Sequence, residues 1–151
     1  MSETIKISIP ADNEGYILMQ CPICGTFFKI GAGDLQDDRF FQIYCPSCGL
    51  SSESYLTEDV IELAINMAEN YLMDSIFNEF KKLERRSKKG FVQFKAGNKP
   101  KEKPELPIHA GIQAMNIVNF DCCKTTAKIK PLLKMTGCYC PFCGVKDYEV
   151  K

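Results

Sequence analysis

Three pairs of thiols set the chemistry open to this chain. Cys21-Pro22-Ile23-Cys24-Gly25 returns as Cys45-Pro46-Ser47-Cys48-Gly49 and again as Cys140-Pro141-Phe142-Cys143-Gly144. Each copy reads as a short turn that presents two sulfurs three positions apart. The proline stiffens its entry, and the glycine accepts the positive φ needed to leave it. Two such turns complete a closed tetrahedral site of four thiolates, the usual form of structural zinc. Cys24 and Cys45 are separated by 20 residues, a spacing expected of paired Cys-x-x-Cys ligands. Cys21, Cys24, Cys45 and Cys48 therefore read as one metal site.

The third copy needs two more ligands, and Cys122, Cys123 and Cys138 are the candidates. The stretch Phe120-Asp121-Cys122-Cys123 is separated from Cys140 by 16 residues. That separation favours a second site of Cys122, Cys123, Cys140 and Cys143, in which two adjacent thiols replace the usual pair. In the alternative, Cys138 takes the place of Cys122 or Cys123. Nine cysteines are an odd number, so two closed sites leave at least one thiol unligated. His109, the sole histidine, stands between Pro107 and Gly111 in a loop-like stretch and is not needed by a four-thiolate site.

The elements that must position these thiols follow from the pattern around them. Ile5, Ile7 and Ile9 alternate with polar residues as in a half-buried strand. Tyr16 to Met19 predicts a strand into the first knuckle, Thr26 to Ile30 a strand out of it, and Phe40 to Tyr44 a strand into the second. Residues 31 to 38 read as a polar loop. Thr57 is a candidate N-cap, with Glu58 and Asp59 in the first turn where the helix dipole favours acid. No glycine or proline follows until after Arg86, and Ile61, Ile65, Ala68, Leu72, Ile76, Phe80 and Leu83 keep helical spacing. Val60, Ala64, Met67 and Tyr71 widen this stripe, which predicts core packing or a partner helix. Residues 87 to 107 have a linker's composition, with recurring Lys, Gly and Pro and a short strand-like Phe91 to Phe94. Beyond them, Ile112 to Phe120 is regular, with strand and short helix both open, Thr126 to Lys130 is strand-like, and Val145 to Val150 suggests a last strand. The expected fold is a small metal-stabilised α+β protein, with two antiparallel ribbons joined by a long helix and a basic linker. Its expected parts are residues 1–56, 57–86, 87–107 and 108–151.

Formal net charge is zero, but it is segregated along the chain. Residues 1–80 carry a net of −10, residues 81–103 a net of +8, and residues 104–151 a net of +2. Such asymmetry implies a basic contact segment or an internal pairing of basic with acidic parts. No apolar run is long enough to span a membrane, and no basic, then apolar leader opens the chain. Nine cysteines in that setting read as metal ligands in a reducing cytoplasm. Neither a Walker nor a Rossmann glycine loop occurs, and two sites that close on four thiolates leave no open position for catalysis. An enzyme and a small-molecule substrate are therefore not expected.

The three knuckles resemble those of zinc-ribbon proteins, including the transcription factor IIB type ribbon. The stretch from Phe120 to Gly144 is similar to a ribbon at the end of small uncharacterised bacterial double zinc-ribbon proteins. The resemblance covers the two ribbon segments, about half the chain, and implies two zinc ions with structural roles. It leaves function open, because ribbons occur in transcription factors, polymerase subunits, ribosomal proteins and adaptors. Rubredoxins also use such knuckles, around one iron, but their tryptophan-containing aromatic core has no counterpart in a chain without Trp. Two readings of function follow. In the first, Lys81, Lys82, Arg85, Arg86, Lys88 and Lys89 contact a DNA or RNA backbone, with Phe91 and Phe94 placed for stacking. In the alternative, the chain is a protein adaptor that uses the ribbons and the helix stripe.

Overall fold

The computed structural model describes residues 4–109, 111 and 114–149. The chain divides into two compact units: residues 8–58 with 108–151, and residues 59–107 with 1–7.

The first unit is built from two hairpins. Strand β1 (Tyr16–Gln20) pairs antiparallel with β2 (Phe27–Gly31), and β3 (Asn116–Phe120) with β4 (Thr125–Ile129). Lys29 lies opposite Lys128 and Ile30 opposite Ala127, so the hairpins join through their second strands into one sheet of order β1-β2-β4-β3. A period of two along each strand then sorts the faces. One face carries Phe28, Ile30, Val118, Phe120, Ala127 and Ile129, all fully buried. This is the core, and Tyr55 closes it with its ring edge-on to Phe28, centroids 5.7 Å apart.

The other face puts two lysines side by side, an arrangement that repels unless something bridges it. Asp12 supplies the bridge: one carboxylate oxygen lies 3.0 Å from Lys29 Nζ and 2.7 Å from Lys128 Nζ, and Glu14 adds a contact of 3.1 Å to Lys128. Asp12 also shapes its own loop by accepting the N–H groups of Glu14 and Tyr16, each at 3.0 Å. Burial works against the ionised Asp12. Lys128, the Tyr16 N–H, Lys29 and the Glu14 N–H outweigh it and hold the carboxyl far below the usual range.

Four short elements join the hairpins in this unit. Helix α1 (Ala32–Leu35) follows β2 where a polar loop was expected. Helix α3 (Pro131–Thr136) starts on a proline, which is pre-set for a first helical position. Strands β5 (Cys138–Tyr139) and β6 (Lys146–Asp147) frame the last knuckle. Several expected strands are absent or shorter. Residues 5–9 pair with nothing in the described sheets. The expected strand at Phe40 to Tyr44 reduces to one bridge, Tyr44 with Ser51. Its amides are spent elsewhere, Phe40 N–H on Asp37 O and Tyr44 N–H on Pro141 O. The last strand keeps only Lys146–Asp147, and Val150 lies outside the described residues.

The second unit is a helix with its own strap. Helix α2 (Glu58–Ser87) has 30 residues and is about 45 Å long. The segment expected to be a linker folds back along it. Lys103 N–H donates to Asn70 Oδ1 at 2.8 Å while Asn70 Nδ2 donates to Lys103 O at 2.9 Å, and Asn66 Nδ2 donates to Pro104 O at 3.1 Å. Lys99 pairs with Asp74 and Lys103 with Glu69. The rings of Phe80 and Phe94 meet at 5.8 Å, and residues 91–94 form a bend and irregular chain, not a strand. The stripe expected to pack is largely uncovered, and Val60 is the one buried residue among those described in α2. No described helix is long and apolar enough to cross a membrane.

Candidate metal centre

Three of the four turns that carry the thiols are built alike. Each first cysteine donates its N–H to the residue after the glycine: Cys21 to Thr26 O at 3.0 Å, Cys45 to Leu50 O at 2.9 Å, and Cys140 to Val145 O at 2.8 Å. Each glycine donates back to the first cysteine's carbonyl at 2.8–2.9 Å, with φ of 72–74°. That conformation is open to glycine and costly for other residues.

These turns assemble two groups of four sulfurs. Cys21, Cys24, Cys45 and Cys48 form one, and Cys122, Cys123, Cys140 and Cys143 the other, with all sulfurs of a group within 4.8 Å of one another. Sulfurs arranged tetrahedrally about 2.3 Å from an ion stand about 3.8 Å apart. The separations match: 3.8 Å for Cys21–Cys48, and 3.5 Å for Cys24–Cys45 and for Cys122–Cys143. Both tetrads could hold a metal ion. Cys138 belongs to neither; it is fully buried in β5, and burial, with the Asp147 charge, raises its thiol to about 11. His109 is exposed and joins neither tetrad.

The fourth turn departs from the others. Phe120 pairs with Thr125 as Cys21 pairs with Thr26, and four residues lie between the partners in both hairpins. Lys124 then occupies the place of Gly25, and among the described residues it is the one non-glycine with positive φ, 53°. Cys123 matches Cys24. The buried Phe120 fills the place of Cys21, and Cys122 donates its sulfur from the place of Ile23. Thr125, matching Thr26, keeps a buried hydroxyl without a hydrogen-bond partner, whereas Thr26 Oγ1 lies 3.3 Å from Cys24 Sγ.

Burial sets what a cation would have to offset at these sulfurs. Burial disfavours the Cys24 thiolate, yet the hydroxyl and N–H of Thr26 and the neighbouring Cys45 and Cys21 bring its pKa down to about 6. Burial drives Cys45 and Cys140 well above the ordinary thiol range, and Cys123 up to about 11. Left to themselves, the four thiols of a tetrad do not all ionise at neutral pH; a dication compensates four thiolates together.

Two tyrosines link the sites. Tyr44 N–H donates to Pro141 O at 2.8 Å, and Tyr139 N–H donates to Pro46 O at 2.9 Å. A Cβ on Gly49 would lie 2.8 Å from the Tyr139 ring, and one on Gly144 would lie 3.0 Å from the Tyr44 ring. The second knuckle of each site therefore docks reciprocally on that of the other. Sequence reading missed this role, although the hexapeptide Tyr-Cys-Pro-x-Cys-Gly occurs at 44–49 and again at 139–144 and carries the signal.

The basic residues fall into two groups. Lys82 pairs with Glu79 at 2.6 Å, and Lys81 sits 5.0 Å over the Phe77 ring. Arg85 and Arg86 lie exposed in the last turn of α2, with Lys88 and Lys89 exposed just beyond it. No protein-family model, curated protein or solved structure matches the chain.

Proposed function

We propose that the chain is a non-enzymatic zinc protein that binds a DNA or RNA backbone through the basic end of α2 and the turn after it. Zinc fits the two tetrads because closed four-thiolate sites are its structural form. Such an ion holds the turns in place and offers no open position to a substrate. The nucleic-acid reading is carried by the way the cations divide. Lys99 and Lys103 are taken up by acids of the helix, whereas Arg85, Arg86, Lys88 and Lys89 stay exposed in the stretch that leads to Phe91, whose side chain is fully exposed. Phosphates suit these exposed cations, and an unstacked base suits the ring.

Binding of short DNA and RNA duplexes and single strands, titrated at several salt concentrations, tests this. Affinity should fall steeply as salt rises. Replacing Arg85, Arg86, Lys88 and Lys89 with Ala should lower it similarly for unrelated sequences and flatten the log–log salt slope by about 3 to 4. Zinc content should stay unchanged. No salt-sensitive binding at low ionic strength would overturn the reading. The exposed stripe of α2 favours a second, compatible role in docking protein.

A further inference from the structure

Helix α2 carries an apolar stripe that its own strap touches at Phe80, through the Phe94 ring, and otherwise leaves largely open. Ile61, Ile65, Leu72, Ile76, Phe80 and Leu83 are each 43–56% exposed, while the strap is held by Asn66, Asn70 and Asp74 on another side of the helix. From Ile61 through Ala68 to Leu83, steps of four and three residues complete six turns in 22 residues, about 3.67 per turn. The stripe therefore stays nearly parallel to the helix axis over about 33 Å, a shape that fits a second straight helix.

Charge selects that helix and its direction. Glu58, Asp59, Glu62 and Glu69 are the only charged residues in the first twelve positions of α2, whereas Lys81, Lys82, Arg85 and Arg86 dominate its last turns. A parallel second copy would set acid beside acid and base beside base. An antiparallel copy sets each acidic end beside a basic one. Leu72 is the midpoint of the stripe. A two-fold axis there brings Ile61 level with Leu83, Ala68 with Ile76, Glu58 with Arg86, and Glu62 with Lys82. We propose that this stripe is the docking surface for a second copy of the chain, joined as an antiparallel pair of α2 helices about Leu72. The exposed apolar area of two copies is on the order of 1,000 Å², where specific interfaces begin. Lys88 and Lys89 lie beyond the level of the partner helix's first residue and stay open to phosphates, whereas Arg85 and Arg86 fall level with Asp59 and Glu58 of the other copy; the proposal rests on the apolar stripe and does not require nucleic-acid binding.

Sedimentation equilibrium of the metal-loaded full chain tests the association. The expected result is a dimer that weakens as salt rises, since opposite charges hold its ends. A dimer that strengthens with salt would contradict the antiparallel arrangement. Leu72→Glu, which sets two carboxylates face to face at the axis, should give a monomer with unchanged helicity and metal content. A native chain that stays monomeric at the highest attainable concentration, or a Leu72→Glu chain that still dimerises, would overturn the proposal. A photoreactive phenylalanine analogue at position 65 reads the direction. Adducts should fall between residues 76 and 83 of the other copy, and adducts between residues 61 and 68 would contradict the register.

Discussion

The hairpin turns that open the two cysteine tetrads have the same frame and place their thiols differently. In both, four residues separate a hydrogen-bonded pair, and the last of the four is left-handed. The first hairpin ligates from the first paired position, where Cys21 is buried. The second fills that position with the buried Phe120 and ligates from Cys122, which is exposed. The turn's shape thus comes from strand register and the left-handed residue, and a ligand can shift two places within it. The shift has a consequence: the first site has two buried sulfurs, Cys21 and Cys45, whereas Cys122 stands in solvent at a corner of the second.

Removing ligands should have the largest effect. Cys45→Ser leaves a three-thiolate site beneath the interlocked tyrosines, and the sheet unit should lose its cooperative melting transition along with one metal ion. Cys122→Ser should lose the metal of the second site while keeping that of the first. Adding Phe120→Cys to Cys122→Ser restores the regular spacing and should recover a stoichiometry of two, at a cost of about 3 kcal/mol in core packing. Metal analysis with calorimetry reads both quantities, and failure of Phe120→Cys to recover the metal would break the comparison of the two turns.

The seam between the hairpins comes next. Asp12→Asn leaves Lys29 and Lys128 facing each other without their bridge and should destabilise by about 3 kcal/mol. The sign of its pH dependence follows from the lowered carboxyl pKa. The contribution of Asp12 is fully present above its unfolded value, about 3.9, and is lost as pH falls below that toward the folded value. The stability gap between native and Asp12→Asn chains, measured by denaturant melts, should therefore be flat at neutral pH and close in acid. A gap that stays constant below pH 4 would contradict the bridge.

The knuckle glycines separate two causes of the same preference. Gly25 has open space where a Cβ would go, so Gly25→Ala meets only the left-handed backbone penalty, about 1 kcal/mol. Gly49 faces the Tyr139 ring, so Gly49→Ala adds a clash and should cost about 3 kcal/mol in all. Equal costs in thermal melts would deny the tyrosine interlock. The smallest effect is expected at Lys124, where Lys124→Gly relieves the left-handed backbone and should stabilise by about 1 kcal/mol.

Much of the site could be read in the sequence because ligand chemistry is local. A Cys-Pro-x-Cys-Gly run encodes its own turn, and α2 declares itself by lacking Gly and Pro over 30 residues. What joins distant segments could not be read. Phe28 and Ile30 alternate visibly, but nothing local says that their strand pairs with Ala127 and Lys128 about 100 residues on. Ile5, Ile7 and Ile9 alternate equally well yet pair with no described strand, since alternation records one-sided burial and not a partner. The strap was hidden for a related reason. Its lysine-rich composition reads as solvated chain, while its anchors, Asn66 and Asn70, look like ordinary surface residues of a helix.

The central claim is two closed four-thiolate metal sites in one chain with one thiol outside both. Metal content and thiol reactivity of the same purified sample, before and after chelation, test it directly. The account predicts two metal ions per chain and Cys138 shielded by burial, with all nine thiols reacting once the metal is removed under denaturing conditions. One ion or none, or four thiols freely reactive while the protein is metal-loaded, would contradict it.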